Sequence, residues 1–126
     1  MECGLHLTKE VLNGKWKAGI LKAITLNVRR PSEMLRALPD ATKRVLNVQL
    51  KELEQHGIIK KKIYHELPLK VEYSLTKLGE SLMPIVDAMN HWGDENRDFL
   101  KTVIQKKASI QPALDEKCRE YRKKIC

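Results

Sequence analysis

The residues between 42 and 56 include several side chains that can bond to the edges of nucleic-acid bases. Arginine pairs with guanine, asparagine and glutamine pair with adenine, and valine contacts the methyl group of thymine. At about 100° per residue, one group of such side chains falls on a single side of a helix. The group consists of Arg44, Asn47, Val48, Lys51 and Gln55. It predicts a helix that enters the major groove of double-stranded DNA.

The centre of this predicted face carries no acidic side chain. Glu52 and Glu54 fall toward its flanks, so no carboxylate at the centre would repel DNA phosphates. Thr42 and Lys43 lie at the start of the helix, where free backbone amides can hold a phosphate. Any surface helix has a polar face, and that is the alternative interpretation. The absence of central acids favours DNA contact.

The ends of this helix are marked by the residues around it. Thr42 is a good N-cap, and Gly57 supplies a stop after His56. Leu46, Leu50 and Leu53 fall opposite the polar face and are predicted to reach the core. A shorter helix over Ser32–Leu38, with Pro31 in its first turn, precedes it. The two helices predict a helix-turn-helix.

A β-hairpin is predicted directly after the second helix. Ile59–Tyr64 and Val71–Leu75 alternate with period two, and Leu67–Lys70 connects them. Such a hairpin would form a wing. Its outward lysines and the basic residues before the helix-turn-helix are candidate phosphate contacts, which position a protein without reading sequence. They are Lys60, Lys62, Lys70, Arg29 and Arg30. Lysines that protect an edge strand are the alternative.

The remaining elements are helical. A short turn over Leu7–Leu12 with Thr8 as N-cap, a helix over Lys15–Leu26 and a short strand at Asn27–Arg30 are expected before the helix-turn-helix. A long C-terminal helix, capped by Thr76 and bent at Pro84, is expected after the wing. Its apolar positions follow nearly a heptad repeat: Leu78, Leu82, Ile85, Met89, Trp92, Phe99 and Val103. Asn96 would occupy the same seam. The repeat fits a core stripe or a dimer interface, and its length favours a dimer.

These elements predict a mainly α (α+β) fold: a winged helix-turn-helix with a two-stranded wing and a long C-terminal dimerisation helix. Residues 1–105 would form the DNA-binding domain with its dimerisation helices, and residues 106–126 a basic C-terminal extension. The net charge of +8 agrees with a nucleic-acid partner. No apolar run is long enough to span a membrane, and no secretory signal is seen, so a cytoplasmic location at the nucleoid is expected.

Other kinds of function find less support in the sequence. No phosphate loop, HExxH or nucleophile elbow is present, so we expect neither an enzyme nor a cofactor. The three cysteines form no CxxC pair, and no metal site is predicted. Cys3 and His6 leave open a metal-responsive regulator, with further ligands from His56, His65, His91 or a tail cysteine. A fold-related protein-interaction module that does not bind DNA is a further alternative.

Four segments resemble the HxlR-type transcriptional regulators of bacteria, which are similar to MarR proteins. They are GKWK at Gly14–Lys17, LNVQLKEL at Leu46–Leu53, VEYSLTKLG at Val71–Gly79 and HWG at His91–Gly93. The resemblance extends from Cys3 to Phe99. It implies a homodimer formed by the N-terminal and C-terminal helices, acting on a two-fold symmetric operator. The implied interface residues are Leu5, Leu7, Leu82, Ile85, Met89, Trp92 and Phe99.

The same resemblance marks Cys3 as a candidate redox sensor, because family members often carry a cysteine just before the first helix. In some members this thiol responds to small electrophiles or oxidants. The usual Cys-Pro is replaced here by Cys3-Gly4, and an unreactive thiol is the alternative. Cys118 and Cys126 lie in the tail, outside the family pattern.

Overall fold

The computed structural model describes residues 3–105; the predicted basic extension, with Cys118 and Cys126, lies outside them. Six helices and two strands follow one another in the described chain. They are α1 (Gly4–Val11), α2 (Lys17–Thr25), α3 (Pro31–Ala37), α4 (Lys43–Gln55), β1 (Ile59–Tyr64), β2 (Lys70–Leu75), α5 (Lys77–Glu95) and α6 (Arg97–Gln105). The predicted mainly α fold with a two-stranded antiparallel sheet is confirmed. Within residues 3–105, no helix is both long and apolar enough to cross a membrane.

The chain divides into two compact units. One is Val11–Asp87, called here the winged unit; residues 3–10 and 88–105 are the described part of the other, the terminal unit. Apolar side chains from α2, α3, α4, the hairpin and the first half of α5 form the core of the winged unit. Leu46, Leu50 and Leu53 are at most 1% exposed, which confirms the predicted inner face of α4.

The two helices of the helix-turn-helix begin and end within one residue of the predicted bounds. Pro31 is in the first turn of α3. The Thr42 hydroxyl accepts a hydrogen bond from the Val45 amide at 3.2 Å and so caps α4. Beyond α4, Gly57 has a φ of +72°, a left-handed conformation that glycine adopts at little cost.

The hairpin pairs β1 with β2 in antiparallel register, from Ile59 opposite Leu75 to Tyr64 opposite Lys70. Thr76 caps α5, as predicted, because its hydroxyl accepts from the Gly79 amide at 3.1 Å. Gly79 also lies against the turn that begins the hairpin. A Cβ there would come within 2.1 Å of the Ile58 carbonyl oxygen, so only glycine allows this close approach.

Several predictions about the N-terminal third are wrong. α1 begins at Gly4, and the Thr8 hydroxyl donates to the Gly4 carbonyl from within the helix, so Thr8 is not an N-cap. α2 begins at Lys17 rather than Lys15. No strand forms over residues 27–30. The Arg29 carbonyl instead accepts one hydrogen bond from the Tyr73 amide at 2.9 Å, which is too little pairing to make a strand.

The predicted single C-terminal helix is also wrong. α5 continues through Pro84 to Glu95, and α6 begins at Arg97. At the junction the Asn96 side-chain amide donates to the Trp92 carbonyl at 2.9 Å, and the Asn96 backbone amide donates to the same oxygen at 3.2 Å. A side chain that bonds to the helix backbone competes with the regular ladder. Asn96 thus lies at a helix junction rather than at a seam within one helix.

Candidate nucleic-acid interface

The outer face of α4 is exposed along its whole length. All five side chains predicted to read bases are exposed, and so are Thr42 and Lys43 at its start. Val48 is 51% exposed, a high value for a valine in a helix that packs on a core. The prediction that these residues share an accessible face is confirmed. The backbone amides of the first turn of α4, which have no partner within the helix ladder, lie at the same end as Thr42 and Lys43.

The inner face of α4 carries one polar residue that the sequence analysis missed. Gln49 is 8% exposed, and its Oε1 accepts the Trp16 backbone amide at 2.9 Å. The side chain also explains Gly14, where a Cβ would approach Gln49 to 3.0 Å. Gln49 therefore links the chain just before α2 to α4. Its position on the wheel, about 40° from Leu53 at the edge of the inner face, is the signal that could have identified it.

A second missed contact joins α2 to α4. Lys17 is 1% exposed, and its Nζ lies 3.2 Å from Glu52 Oε2, while the Glu52 side chain is 43% exposed. Lys17 lies on the same stripe of α2 as Ile20, Leu21 and Ile24. A lysine in an otherwise apolar stripe was the available signal, because a buried ammonium needs a partner. The sequence did not show which carboxylate pairs with Lys17.

Two lysines of the wing lie close to one aromatic ring. Lys60, Lys61 and Lys62 are exposed on β1. Lys62 Nζ lies 4.8 Å and Lys70 Nζ 5.0 Å from the centre of the Tyr64 ring. Such cation–π contacts restrain long side chains. Lys62, Tyr64 and Lys70 therefore form one basic cluster on the hairpin.

Glu72 lies within this basic surface and was not considered in the sequence analysis. Its Oε1 is 3.2 Å from Lys70 Nζ and 3.9 Å from Arg30 Nε. The hydrogen bond from Lys70 lowers the pKa of Glu72, as do the charges of Lys70, Arg30 and Arg29, while desolvation acts in the opposite direction. Arg30 and Lys70 are thus both paired with a carboxylate within the chain.

The terminal unit exposes large apolar side chains. Leu5, Leu7, Met89, Trp92 and Phe99 are between 49% and 71% exposed. Exposed apolar side chains that join into one patch mark sites of protein association. Ile85, in the winged unit, is 46% exposed. Leu82 differs from the rest of the predicted interface: it is 9% exposed and belongs to the core of its own chain. Leu82 is therefore a core residue and not, as predicted, a residue of the dimer interface.

The sulfur of Cys3 is disulfide-bonded. Within residues 3–105, no three histidine, cysteine or acidic side chains gather as a metal site would require. His91 contacts Glu95 along α5 at 2.9 Å.

Comparison with known proteins assigns this arrangement to a family. Residues 11–100 match the sequence model of a family described as HxlR-like helix-turn-helix. The chain belongs to the HxlR-like helix-turn-helix family. It is a transcriptional regulator of the HxlR type, and this family implies binding to DNA. The match confirms the resemblance and the winged helix-turn-helix fold that were inferred from the residues.

Individual relatives agree with this assignment. The uncharacterized HTH-type transcriptional regulator YybR of Bacillus subtilis (strain 168) is 43% identical over 100 residues, which are 79% of this HxlR-type chain and 80% of YybR. The redox regulator HypR in its reduced form is 42% identical, with a TM-score of 0.73 over 79% of this chain and 99% of HypR. The reduced form of YodB from B. subtilis is 29% identical, with a TM-score of 0.63 over 75% of this chain and 94% of YodB.

Proposed function

We propose that this HxlR-type regulator reads a specific operator by inserting α4 into the major groove. Arg44, Asn47, Lys51 and Gln55 would bond to base edges, and Val48 would contact a thymine methyl. The observation that carries the proposal is the exposed outer face of α4, which has no acid at its centre and is backed by a fully buried inner face. A helix held in this way presents its outer side chains in a fixed register.

Phosphate contacts would come from three places around α4. Thr42 and Lys43 lie at its N-terminal end, where amides and the helix dipole favour an anion. Lys60 and Lys62 are exposed on β1. Arg30 and Lys70 lie beside Glu72 of β2, and Arg29 directly precedes Arg30. These contacts would supply affinity that falls with salt and carries no sequence information.

We further propose that the protein acts as a homodimer on a two-fold symmetric operator. The exposed apolar residues of the terminal unit, with Ile85, would form the interface. Two copies of α4 would then meet half-sites about one helical turn apart, or a multiple of it. Bound to chromosomal operators, the dimer would reside at the nucleoid of a bacterial cell.

The signal would be a small oxidant or electrophile acting on Cys3. The solved neighbours include HypR in reduced and oxidized forms and YodB treated with diamide. Cys3 is at the start of α1 and takes part in a disulfide, which supports the idea that its thiol can be oxidised. Diamide removes two electrons and two protons from a pair of thiols, and the two sulfurs then join.

Replacement of Arg44 tests the placement of α4. The operator is first identified by selecting duplexes from a random pool. Arg44→Ala should then weaken binding to the selected duplex by about 1–3 kcal/mol and relax its base preference at one position. Arg97→Ala removes the same charge from α6, where Arg97 pairs with Asp94, and should leave base preference unchanged. Full affinity and specificity in Arg44→Ala would refute the groove assignment.

A further inference from the structure

We infer that Lys17, which is buried and cannot touch DNA, contributes to DNA affinity by neutralising Glu52 beside the recognition face. The inference rests on the proposed function of α4. It assigns a role in binding to a residue inside the protein.

The two acids of α4 flank its outer face symmetrically. At about 100° per residue, Glu52 and Glu54 lie about 80° from Arg44 in opposite directions around the helix. Glu52 directly follows Lys51 and is one turn beyond Val48. A carboxylate in this position lies close to the side chains that would meet the groove. A negative charge there repels the phosphates on either side of the groove.

The charges of the two acids differ in how they are compensated. Glu52 has the Lys17 ammonium 3.2 Å from its Oε2. Glu54 is exposed, and no ion pair within residues 3–105 involves it. An ammonium in contact with the carboxylate attracts the phosphate that the carboxylate repels, so it offsets much of that repulsion. Lys17 therefore makes the α2-facing flank of α4 electrically neutral.

The burial of Lys17 makes this neutralisation permanent. A surface lysine exchanges partners and would move to a phosphate once DNA arrives. Lys17 is 1% exposed, so its ammonium has Glu52 as its partner and cannot reach solvent to exchange. The carboxylate is 43% exposed and so remains within the field of the bound DNA. Lys17 therefore acts on the bound DNA through its charge alone, because its buried side chain does not contact the DNA.

Lys17→Met tests this role, because methionine fills the buried site without a charge. On the selected duplex at low salt, affinity should fall by about threefold to tenfold, and the loss should shrink as salt is raised. Adding Glu52→Gln to Lys17→Met should restore affinity, since the uncompensated charge is gone. Lys22→Met removes the same charge from the same helix, but Lys22 pairs with Asp87 on α5; this control should change affinity less.

A purely structural role for the pair gives a different pattern. If the ion pair only positioned α4, the double variant would lack the pair and would bind as poorly as Lys17→Met. Its loss would also persist at high salt, because geometry is not screened. Unfolding in urea is measured for each variant to separate stability from affinity. Failure of Glu52→Gln to restore binding, or an unchanged affinity in Lys17→Met, would overturn the inference.

Glu54→Gln keeps the inference testable even if Lys17→Met does not fold. It removes the uncompensated acid at the matching position on the opposite flank, and it should raise affinity by about as much as Lys17→Met lowers it. No gain would mean that a carboxylate at this angle does not repel DNA, and the inference would fail. Arg44→Ala in the same assay separates the two hypotheses: if it binds fully, the placement of α4 itself is wrong.

Discussion

Cys3 is the single residue at which a chemical signal is expected to act. Cys3→Ser should abolish the effect of diamide on operator binding, because serine cannot form a disulfide. The measurement is operator affinity with and without diamide, followed by reduction with dithiothreitol. Cys118→Ser and Cys126→Ser, made one at a time, test each tail cysteine as the second thiol: the variant that lacks the partner of Cys3 should also lose the response, and the other should keep it. An undiminished diamide response in Cys3→Ser would remove Cys3 as the sensor.

Side-chain exposure on α4 could be predicted from the sequence, whereas its polar contacts could not. Helical periodicity alone separates Arg44 and Val48 from Leu46 and Leu50, because the constant rotation per residue determines which side chains share a face of the helix. The Lys17–Glu52 ion pair joins residues 35 apart. Periodicity shows that Lys17 is buried in an apolar stripe, but the choice of partner depends on how α2 packs on α4. That packing is a property of the folded core.

The wing is the element whose charges differ most from the prediction, because Glu72 pairs with two of the predicted phosphate contacts, Lys70 and Arg30. We expect Glu72→Gln to raise affinity for any duplex by about twofold to tenfold. The slope of log affinity against log salt concentration should become steeper by up to about one unit. The reason is that Lys70 loses its carboxylate partner and becomes available to phosphates, while Arg30 loses one of two partners and keeps Glu33, whose Oε1 lies 3.8 Å from its Nε. Affinity for a mixed-sequence duplex is measured over a range of salt concentrations.

Glu66→Gln is the control for the wing, since it removes the same charge from an exposed wing residue that has no ion pair within residues 3–105. An equal steepening in both variants would show that Glu72 does not withhold its two cations. The lowered pKa of Glu72 fixes the direction of the pH effect. Its ion pairs stabilise the wing fully above the ordinary carboxyl pKa of 4.5, and this contribution is lost as pH falls through the lowered pKa.

The predicted ends of elements agree with the structure where a capping residue marks them. Thr42, Gly57 and Thr76 placed α4 and the start of α5 within one residue of the structure. The prediction failed at Asn96, where an apolar repeat on both sides hid a break that depends on a side-chain hydrogen bond. It also failed at residues 27–30, which form only one backbone hydrogen bond with β2, from the Tyr73 amide to the Arg29 carbonyl.

The whole molecule is expected to depend on self-association through the terminal unit. Phe99 is 71% exposed, so Phe99→Glu should leave the fold intact while placing a charge in the proposed interface. Sedimentation should then show a shift from dimer to monomer, and affinity for an operator with two half-sites should fall toward that for one. Lys101→Glu adds the same acid about 200° around α6 and should remain dimeric. A Phe99→Glu protein that sediments unchanged would contradict the proposed interface.

The division of α4 into two faces has a consequence for how such a regulator can be retargeted. The residues that pack α4 on the core, including Leu46, Gln49 and Leu53, point inward, Glu52 pairs with Lys17 from the flank, and the Thr42 cap acts on the backbone. The outward positions carry almost none of the folding free energy. A combinatorial library at residues 44, 47, 48, 51 and 55 should therefore yield stable proteins with new DNA preferences, and the operator could diverge by point substitutions on an unchanged scaffold.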